Sequence, residues 1–276
     1  MEKKGKKENP NLVVPHILKV RDLEDKSKYK QLHPNLPVPP FCMLCCGSVR
    51  SGKSNFIVSA LRGDPETNGF FGTDYFDKVV IMSNTINNDP KGKFLMDAFE
   101  VIDHYDDKYI KEYIEEQKQF PREEMPTGLI VLDDIISRDF KRTSEISFLS
   151  SRYRHIETSI ILAVQSFRAV SNVIRNNSDF ICIFKQNNFK ELSKIAEEYS
   201  DYCGSEELFM RYYNYCMKEK YNIMVINAQQ NPAIFMKNFD TIIGYGDKPT
   251  ITLEELDSED EDVINFEEQD TKASED

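Results

Sequence analysis

The feature that most constrains the fold of this 276-residue chain is the run FCMLCCGSVRSGKS at residues 41–54. Its first six residues, Phe41–Cys46, are apolar and long enough to form one buried strand. They lead directly into GSVRSGKS at residues 47–54, which has the GxxxxGK[ST] spacing of the phosphate-binding P-loop. The run therefore predicts a strand, a loop and a helix in direct succession, as in α/β folds built on a parallel sheet.

Each residue type in this loop suits contact with a bound triphosphate. Glycines allow the tight turn that points successive backbone amides at a phosphate, and the following helix adds the positive end of its dipole. We expect Lys53 to reach the β- and γ-phosphates of ATP and the Ser54 hydroxyl to bind Mg²⁺. The predicted nucleotide-binding residues are Gly47, Ser48, Val49, Arg50, Ser51, Gly52, Lys53 and Ser54.

A second apolar segment, GLIVLDDII at residues 128–136, ends in two carboxylates. Its apolar run Leu129–Leu132 predicts a strand buried on both faces, which is typical of parallel sheets. Ligands of open α/β sheets bind at the carboxyl ends of the strands. Because Asp133 and Asp134 stand at that end, we expect Asp133 to hold magnesium and Asp134 to polarise the attacking water.

A third strand, SIILAV at residues 159–164, is followed by the amide Gln165. An amide at a strand's carboxyl end can contact a γ-phosphate or orient water. Further apolar segments begin near Val79 and Phe180, and helical or loop segments separate all of them. This alternation predicts an α/β fold with a mostly parallel central sheet flanked by helices, and an antiparallel strand pair is predicted after residue 220.

The charged residues divide the chain into three parts. The net charge is −12, and residues 254–276 contain twelve acidic residues and one lysine, a composition typical of disorder. We predict an N-terminal arm at residues 1–40, a P-loop ATPase domain at 41–251 and an acidic, disordered tail at 252–276. The arm carries four lysines within residues 3–7, which we interpret as a solvated end with DNA contact as the alternative.

The cysteine pattern favours a reducing compartment. Three of the six cysteines lie in the strand before the P-loop, where a buried thiol behaves as a small hydrophobe. Cys42 and Cys45 form a CxxC, but no second CxxC or CxxH accompanies it, which argues against a zinc site. No apolar stretch reaches about 18 residues, and the first residues lack the apolar core of a signal peptide. We therefore expect a soluble, intracellular protein with reduced cysteines.

With these motifs in this order, the chain resembles the poxvirus-type genome-packaging ATPases of large DNA viruses, within the FtsK-HerA superfamily of translocases. The resemblance covers about residues 41–189, and its specific part is SRYRHIETSIILAVQS followed by VIRNNSDFICIFK. It implies a RecA/FtsK-like P-loop fold in which Lys53, Asp134 and Gln165 serve ATP hydrolysis. One departure concerns Asp134, because many relatives carry the longer glutamate at that position.

The resemblance also assigns a residue that the motifs alone do not. Arg154 is similar in placement to the arginine that the superfamily offers to the nucleotide of a neighbouring subunit. A guanidinium suits that task because it is planar and permanently charged. Arg152 and Arg175 are the alternatives for the same role.

The function implied by the resemblance is an ATP-driven, ring-forming motor that moves double-stranded DNA into a capsid. Its partners would be DNA and capsid or portal proteins, in the host cytoplasm and in the virion. Two alternatives remain: an FtsK/HerA-like translocase in repair or conjugation, and a nucleotide-gated switch or scaffold. The sequence has neither an NKxD motif nor an LSGGQ-like stretch, which argues against a GTPase and an ABC-type ATPase. A small-molecule kinase stays open because Arg138, Lys141 and Arg142 could belong to a lid.

Overall fold

The strands in the described part of the chain form one ten-stranded mixed sheet. The computed structural model describes residues 29, 31–62, 71–88, 92–135 and 144–257. The strands in this part of the chain are β1 (Cys42–Cys46), β2 (Lys78–Ser83), β3 (Glu100–Ile102), β4 (Gly128–Asp133), β5 (Thr158–Val164), β6 (Phe180–Ile183), β7 (Met224–Asn227), β8 (Ile234–Lys237), β9 (Thr241–Tyr245) and β10 (Lys248–Pro249). Across the sheet their order is β10-β9-β8-β7-β6-β1-β5-β4-β2-β3.

The half of the sheet from β6 to β3 is parallel throughout. Its central strands β1, β4 and β5 are buried along their whole length, as their unbroken apolar sequences predict. Alternate residues of β1 enter different cores, with Cys42, Leu44 and Cys46 in one and Met43 and Cys45 in the other. The predicted α/β fold with a mostly parallel central sheet is therefore confirmed.

The other half of the sheet is antiparallel. β7 pairs with β6 and β8 with β7, which is the strand pair predicted after residue 220. β9 and β10 continue the same meander, and neither was predicted. Because β7 runs against β6, the loop that enters β7 lies at the edge where the parallel strands end.

Helices connect and flank these strands. In chain order they are α1 (Lys53–Arg62), α2 (Gly92–Ala98), α3 (Asp107–Gln117), α4 (Glu145–Ser150), α5 (Asn172–Asn176), α6 (Phe189–Tyr199), α7 (Glu206–Met217) and α8 (Leu253–Asp257). Side-chain caps set several starts: Asp106 accepts from the amide of Lys108 ahead of α3, and Ser205 accepts from that of Leu208 in α7. Residues 144–154 do not form one continuous helix, because α4 is followed by a separate 3₁₀ turn, Tyr153–Ile156.

The ordered fold continues into the segment predicted as an acidic tail. Residues 253–257 form α8, and Leu256 is buried against the core that includes α7. The rest of the predicted tail, the lysine-rich start of the arm and the arginine and lysine residues considered for a lid lie outside the described residues.

All six cysteines are buried as free thiols. None of the helices in the described part of the chain combines the length and the apolarity that crossing a bilayer requires.

Gly128 begins β4 in a space that admits no side chain, which yields a stability prediction. A Cβ there would lie 1.8 Å from Tyr113 Oη, and that hydroxyl is hydrogen-bonded at 3.0 Å to Thr158 Oγ1. We expect Gly128→Ala to lower the free energy of unfolding by about 2 kcal/mol, measured by urea denaturation. Tyr113→Phe removes the atom that collides, so the double variant should lose less than the sum of the two single changes.

Candidate nucleotide site

Neighbouring strands anchor the P-loop between β1 and α1. The amide of Gly47 donates to Val164 O at 3.2 Å, and the amide of Ser48 donates to Lys185 O at 3.1 Å. The Ser48 hydroxyl in turn accepts from the amide of Asn187 at 2.7 Å. The loop is therefore fixed to the carboxyl ends of β5 and β6 before any ligand binds.

The P-loop contains two residues with positive φ angles and one glycine with no space for a side chain. Gly52 has φ +109°, where only glycine is comfortable, and Arg50 also adopts a left-handed conformation at φ +61°. At Gly47, a Cβ would lie 2.5 Å from Phe184 Cβ and 2.6 Å from Ser51 Oγ. Both glycines of the motif are therefore required, one for conformation and one for space.

Lys53 lies inside the loop rather than in solvent. Its ammonium donates to Gly47 O at 2.6 Å and to Ser48 O at 3.0 Å, and only 5% of the residue is exposed. Burial lowers the pKa of Lys53, and the charges of Asp134 and Asp133 oppose that shift. The structure thus holds a buried cation against two backbone carbonyls of the loop.

One unsatisfied atom indicates what this loop can bind. Ser51 Oγ is buried without a hydrogen-bond partner among the described residues. The first amides of α1, at Lys53, Ser54 and Asn55, have no carbonyl partner within the helix. Together with the Lys53 ammonium these donors fit the oxygens of a polyphosphate. Ser54, half-buried at the same helix start, carries a hydroxyl oxygen of the type that magnesium prefers as a ligand.

The predicted carboxylates lie at the same edge of the sheet. Asp133 is level with Ala163 of β5, which is level with Cys45 of β1. Two strand spacings separate Asp133 from Cys45, or about 10 Å between backbones, and the P-loop begins two residues after Cys45. A metal-bound triphosphate can therefore contact both the P-loop and this carboxylate.

Asp134 and Gln165 contact each other directly. Gln165 Nε2 donates to Asp134 Oδ1 at 2.9 Å. Asp134 has φ +52°, and its carbonyl accepts from Asn84 Nδ2 at 3.4 Å. Gln165 directly follows β5, which lies between β1 and β4, so it stands between the loop and the acids. Asn84 was not predicted as a site residue, although it directly follows β2 at these carboxyl ends.

A second missed residue, Glu191 of α6, fixes the segment after Gln165. Its Oε1 accepts from Ser166 Oγ at 3.1 Å, and its Oε2 accepts from the amide of Phe167 at 2.8 Å. The acid is only 13% exposed on its side chain, so these bonds hold the start of the turn firmly. No local pattern marks Glu191, because its partners lie about 25 positions earlier in the chain.

Arg154 lies at the amino ends of the parallel strands, opposite the ends that carry the P-loop. It precedes β5, whereas the P-loop follows the carboxyl end of β1, and the seven residues of β5 span about 23 Å. Its Nη2 donates to Asp179 Oδ1 at 2.8 Å and its Nε to Tyr153 Oη at 2.9 Å. With 63% of its side chain exposed, beside a cavity of about 370 Å³, Arg154 cannot reach its own P-loop but is open to a second molecule.

The two alternative arginines occupy different environments. Arg175 is 8% exposed, with its Nε 3.0 Å from Glu198 Oε1 and its guanidinium 4.7 Å from the centroid of the Phe167 ring. These contacts give it a role in packing. Arg152 is exposed and lies beside α3. Arg154 and Arg152 therefore remain accessible to another subunit, and Arg175 does not.

Comparison with known proteins places the chain in a family. The sequence model of the family described as "Poxvirus A32 protein" matches residues 27–228, which is more than half of the chain. The chain belongs to the poxvirus A32 protein family. The matched region, residues 27–228, contains the P-loop, both carboxylates, Gln165 and Arg154 of this A32-family chain. The family resemblance identified from the motifs is thereby confirmed.

Solved structures share the fold of the A32-family chain. One is the genome packaging NTPase B204 from Sulfolobus turreted icosahedral virus 2 in complex with sulfate, with a TM-score of 0.52 at 18% identity, over 72% of this chain and 96% of B204. Another is B204, the DNA-packaging ATPase from Sulfolobus Turreted Icosahedral Virus, with a TM-score of 0.51 at 16% identity, over 69% and 94%. At these identities the likeness establishes a common P-loop ATPase fold.

A curated relative matches in sequence over a shorter region. Uncharacterized protein 075L of Invertebrate iridescent virus 6 is 26% identical over 141 residues, or 48% of the A32-family chain and 52% of the relative. The chain thus spans about half the length of this curated relative.

Proposed function

We propose that this A32-family protein is an ATP-hydrolysing motor that packages double-stranded viral DNA into capsids. The observation that carries the proposal is the meeting of Lys53, Asp133, Asp134 and Gln165 at one edge of the sheet. Family membership supports it, and so does the fold shared with B204, whose published descriptions call it a genome packaging NTPase and a DNA-packaging ATPase. Capsid or portal proteins in the host cytoplasm would be the partners.

In the proposed reaction, the P-loop binds ATP. The amides at the start of α1 and the Ser51 hydroxyl donate to phosphate oxygens, and the Lys53 ammonium exchanges its two carbonyl partners for the β- and γ-phosphates. A magnesium ion held by Ser54 and Asp133 would neutralise charge on those phosphates.

The remaining two residues act on the water. Asp134 accepts a hydrogen bond from the attacking water and orients it towards the γ-phosphorus. Gln165 donates to Asp134 Oδ1, which holds the carboxylate in one rotamer. Glu191 fixes the turn that follows Gln165, so this amide is supported from α6. The left-handed backbone of Asp134 and its hydrogen bond from Gln165 set where the carboxylate stands.

The position of Arg154 supports assembly into a homo-oligomeric ring. The Arg154 guanidinium is bound at the start of β1, and the whole length of that strand, about 17 Å, separates it from its own P-loop. It can therefore act on a nucleotide only if that nucleotide is bound to another subunit. A head-to-tail interface that places the Arg154 edge of one copy against the P-loop edge of the next repeats around a closed ring. In such a ring each ATP is completed by two subunits.

Mixing two inactive variants tests this arrangement. Lys53→Ala and Arg154→Ala should each abolish ATP turnover alone, Arg154→Ala with nucleotide binding retained. In an equal random mixture about a quarter of the interfaces would pair an intact P-loop with an intact Arg154, so about a quarter of the wild-type rate should return. Turnover is measured by phosphate release on assembled particles whose mass is determined in parallel. No recovery in mixed particles would exclude Arg154 from a role in trans.

DNA dependence separates a motor from a nucleotide-gated switch. We expect double-stranded DNA to raise the turnover of the assembled wild-type protein several-fold, because a translocase couples hydrolysis to its track. Unchanged turnover with DNA in an assembled particle would favour the switch or scaffold. Association of the protein with virions would distinguish packaging from a repair or conjugation role.

A further inference from the structure

The loop that enters β7, residues 218–223, brings an aromatic ring to the P-loop. Met224, the first residue of β7, pairs with Ile183 at the carboxyl end of β6, the strand next to β1. The loop is thereby set at the nucleotide edge. Within it, Tyr221 Cδ1 lies 3.4 Å from the position that a Cβ on Gly52 would occupy, so the tyrosine covers the second glycine of the motif.

Tyr221 is unusual in both exposure and backbone conformation. The residue is 54% exposed, and its φ is +73°, a left-handed value that large side chains rarely adopt. A glycine would remove this strain, and an exposed ring contributes little burial to offset it. The position therefore supplies an aromatic surface beside Gly52 at some cost to the fold.

The loop is held in place relative to α1. Asn238 Nδ2 donates to Asn222 Oδ1 at 2.8 Å, and Asn238 Oδ1 accepts from the amide of Ile223 at 2.8 Å. The next residue, Phe239, stacks on Phe56 of α1 with ring centroids 5.8 Å apart and planes 5° apart. The tyrosine therefore has a fixed backbone next to the helix that follows the P-loop.

A cation accompanies the ring. Lys220 Nζ lies 4.8 Å from the centroid of the Tyr221 ring, and both residues are exposed. An aromatic face with an adjacent ammonium is the pair of groups that binds a base attached to phosphates, since the ring stacks and the cation balances negative charge. More than half of Tyr221 is exposed, which leaves ring surface for a base.

We propose that Tyr221 stacks on the nucleobase of the triphosphate held by the P-loop, which makes it a binding residue of the nucleotide site. This inference rests on the proposed ATPase function. Every base has a π-face, so recognition by stacking discriminates weakly among bases. The site therefore takes nucleoside triphosphates as a class, with the phosphates supplying most of the affinity.

The test separates base binding from phosphate binding in the full-length protein. The dissociation constants of ATP and of inorganic tripolyphosphate, both with MgCl₂, are measured by calorimetry for wild type, Tyr221→Phe and Tyr221→Ala. We expect Tyr221→Ala to bind ATP about tenfold more weakly and tripolyphosphate within about twofold of wild type. Tyr221→Phe keeps the ring and should match wild type for both ligands. Wild type should bind GTP and CTP within about tenfold of ATP.

A further variant protects the test against a folding defect. Tyr221→Gly removes the ring and relieves the left-handed strain, so its Tm should equal or exceed that of wild type while its ATP affinity falls as in Tyr221→Ala. Equal ATP affinity in wild type and Tyr221→Gly would overturn the stacking role and leave the proposed function standing. Equal losses for ATP and tripolyphosphate would also overturn it, because the P-loop itself would then be altered. If wild type binds tripolyphosphate and ATP equally poorly, the proposed function fails, and the stacking role fails with it.

Discussion

Lys53→Ala is expected to reduce kcat for ATP hydrolysis by about 10³-fold or more in single-turnover assays. The ammonium is desolvated and already aimed into the loop, so it meets the charge that develops on the phosphates without reorganisation. The substitution should leave the Tm close to the wild-type value. Burial lowers the pKa of Lys53, so at neutral pH its charged form is less favourable in the folded protein than in the unfolded chain. Relief of this desolvation offsets the loss of the two hydrogen bonds from Lys53 Nζ to Gly47 O and Ser48 O.

Arg62→Ala is the matched control for this change. Arg62 is a cation of the same helix α1, but it is exposed at the far end from the loop. Its loss should change kcat less than about twofold. Hydrolysis that persists in the Lys53 variant near the wild-type rate would refute the assignment of the protein as a P-loop ATPase.

Asp179→Ala should cost about 3 to 5 kcal/mol in the free energy of unfolding. Asp179 is 6% exposed, and its Oδ2 accepts from the amide of Cys42 at 2.9 Å and from the hydroxyl of Tyr153. Burial and this carboxylate both raise the pKa of Tyr153, so the phenol remains a donor. Without the acid, the Tyr153 hydroxyl and the Cys42 amide would lose a buried partner.

Arg154→Ala provides the comparison for the same cluster. Its ion pair with Asp179 is made by an arginine whose side chain is 63% exposed, so we expect a loss of no more than about 1 kcal/mol. Urea denaturation of both variants measures the difference. If Arg154→Ala destabilises as much as Asp179→Ala, the arginine is a structural residue, and its effects on turnover cannot be assigned to a neighbour's nucleotide.

The parallel strands could be predicted from the sequence because burial on both faces leaves an unbroken apolar run. β1, β2, β4, β5 and β6 all have this signature. β3 has only three residues, and Glu100 at its start is exposed, so it lacks an apolar pattern. β9 and β10 form an edge of the sheet, and their partly exposed sequence is specified by pairing with β8 and with each other.

The candidate site was predictable where a residue directly follows a strand. Asp133 is the last residue of β4, and Asp134 and Gln165 directly follow β4 and β5, whose carboxyl ends lie side by side. Glu191 and Tyr221 come from helix and loop segments, and contacts far apart in sequence bring them to the site. These contacts depend on the packing of α6 and on the antiparallel direction of β7, which strand patterns do not encode.

Strand β5 connects two functional positions within one subunit of the proposed ring. Arg154 lies just before this strand and Gln165 just after it, and ladders to β1 and β4 on both sides keep the strand from stretching. Because β5 cannot slide past β1 and β4 without breaking these ladders, Arg154 and Gln165 stay a fixed distance apart. In the proposed ring, each subunit would then be a rigid spacer between the nucleotide that its Arg154 contacts and its own water site.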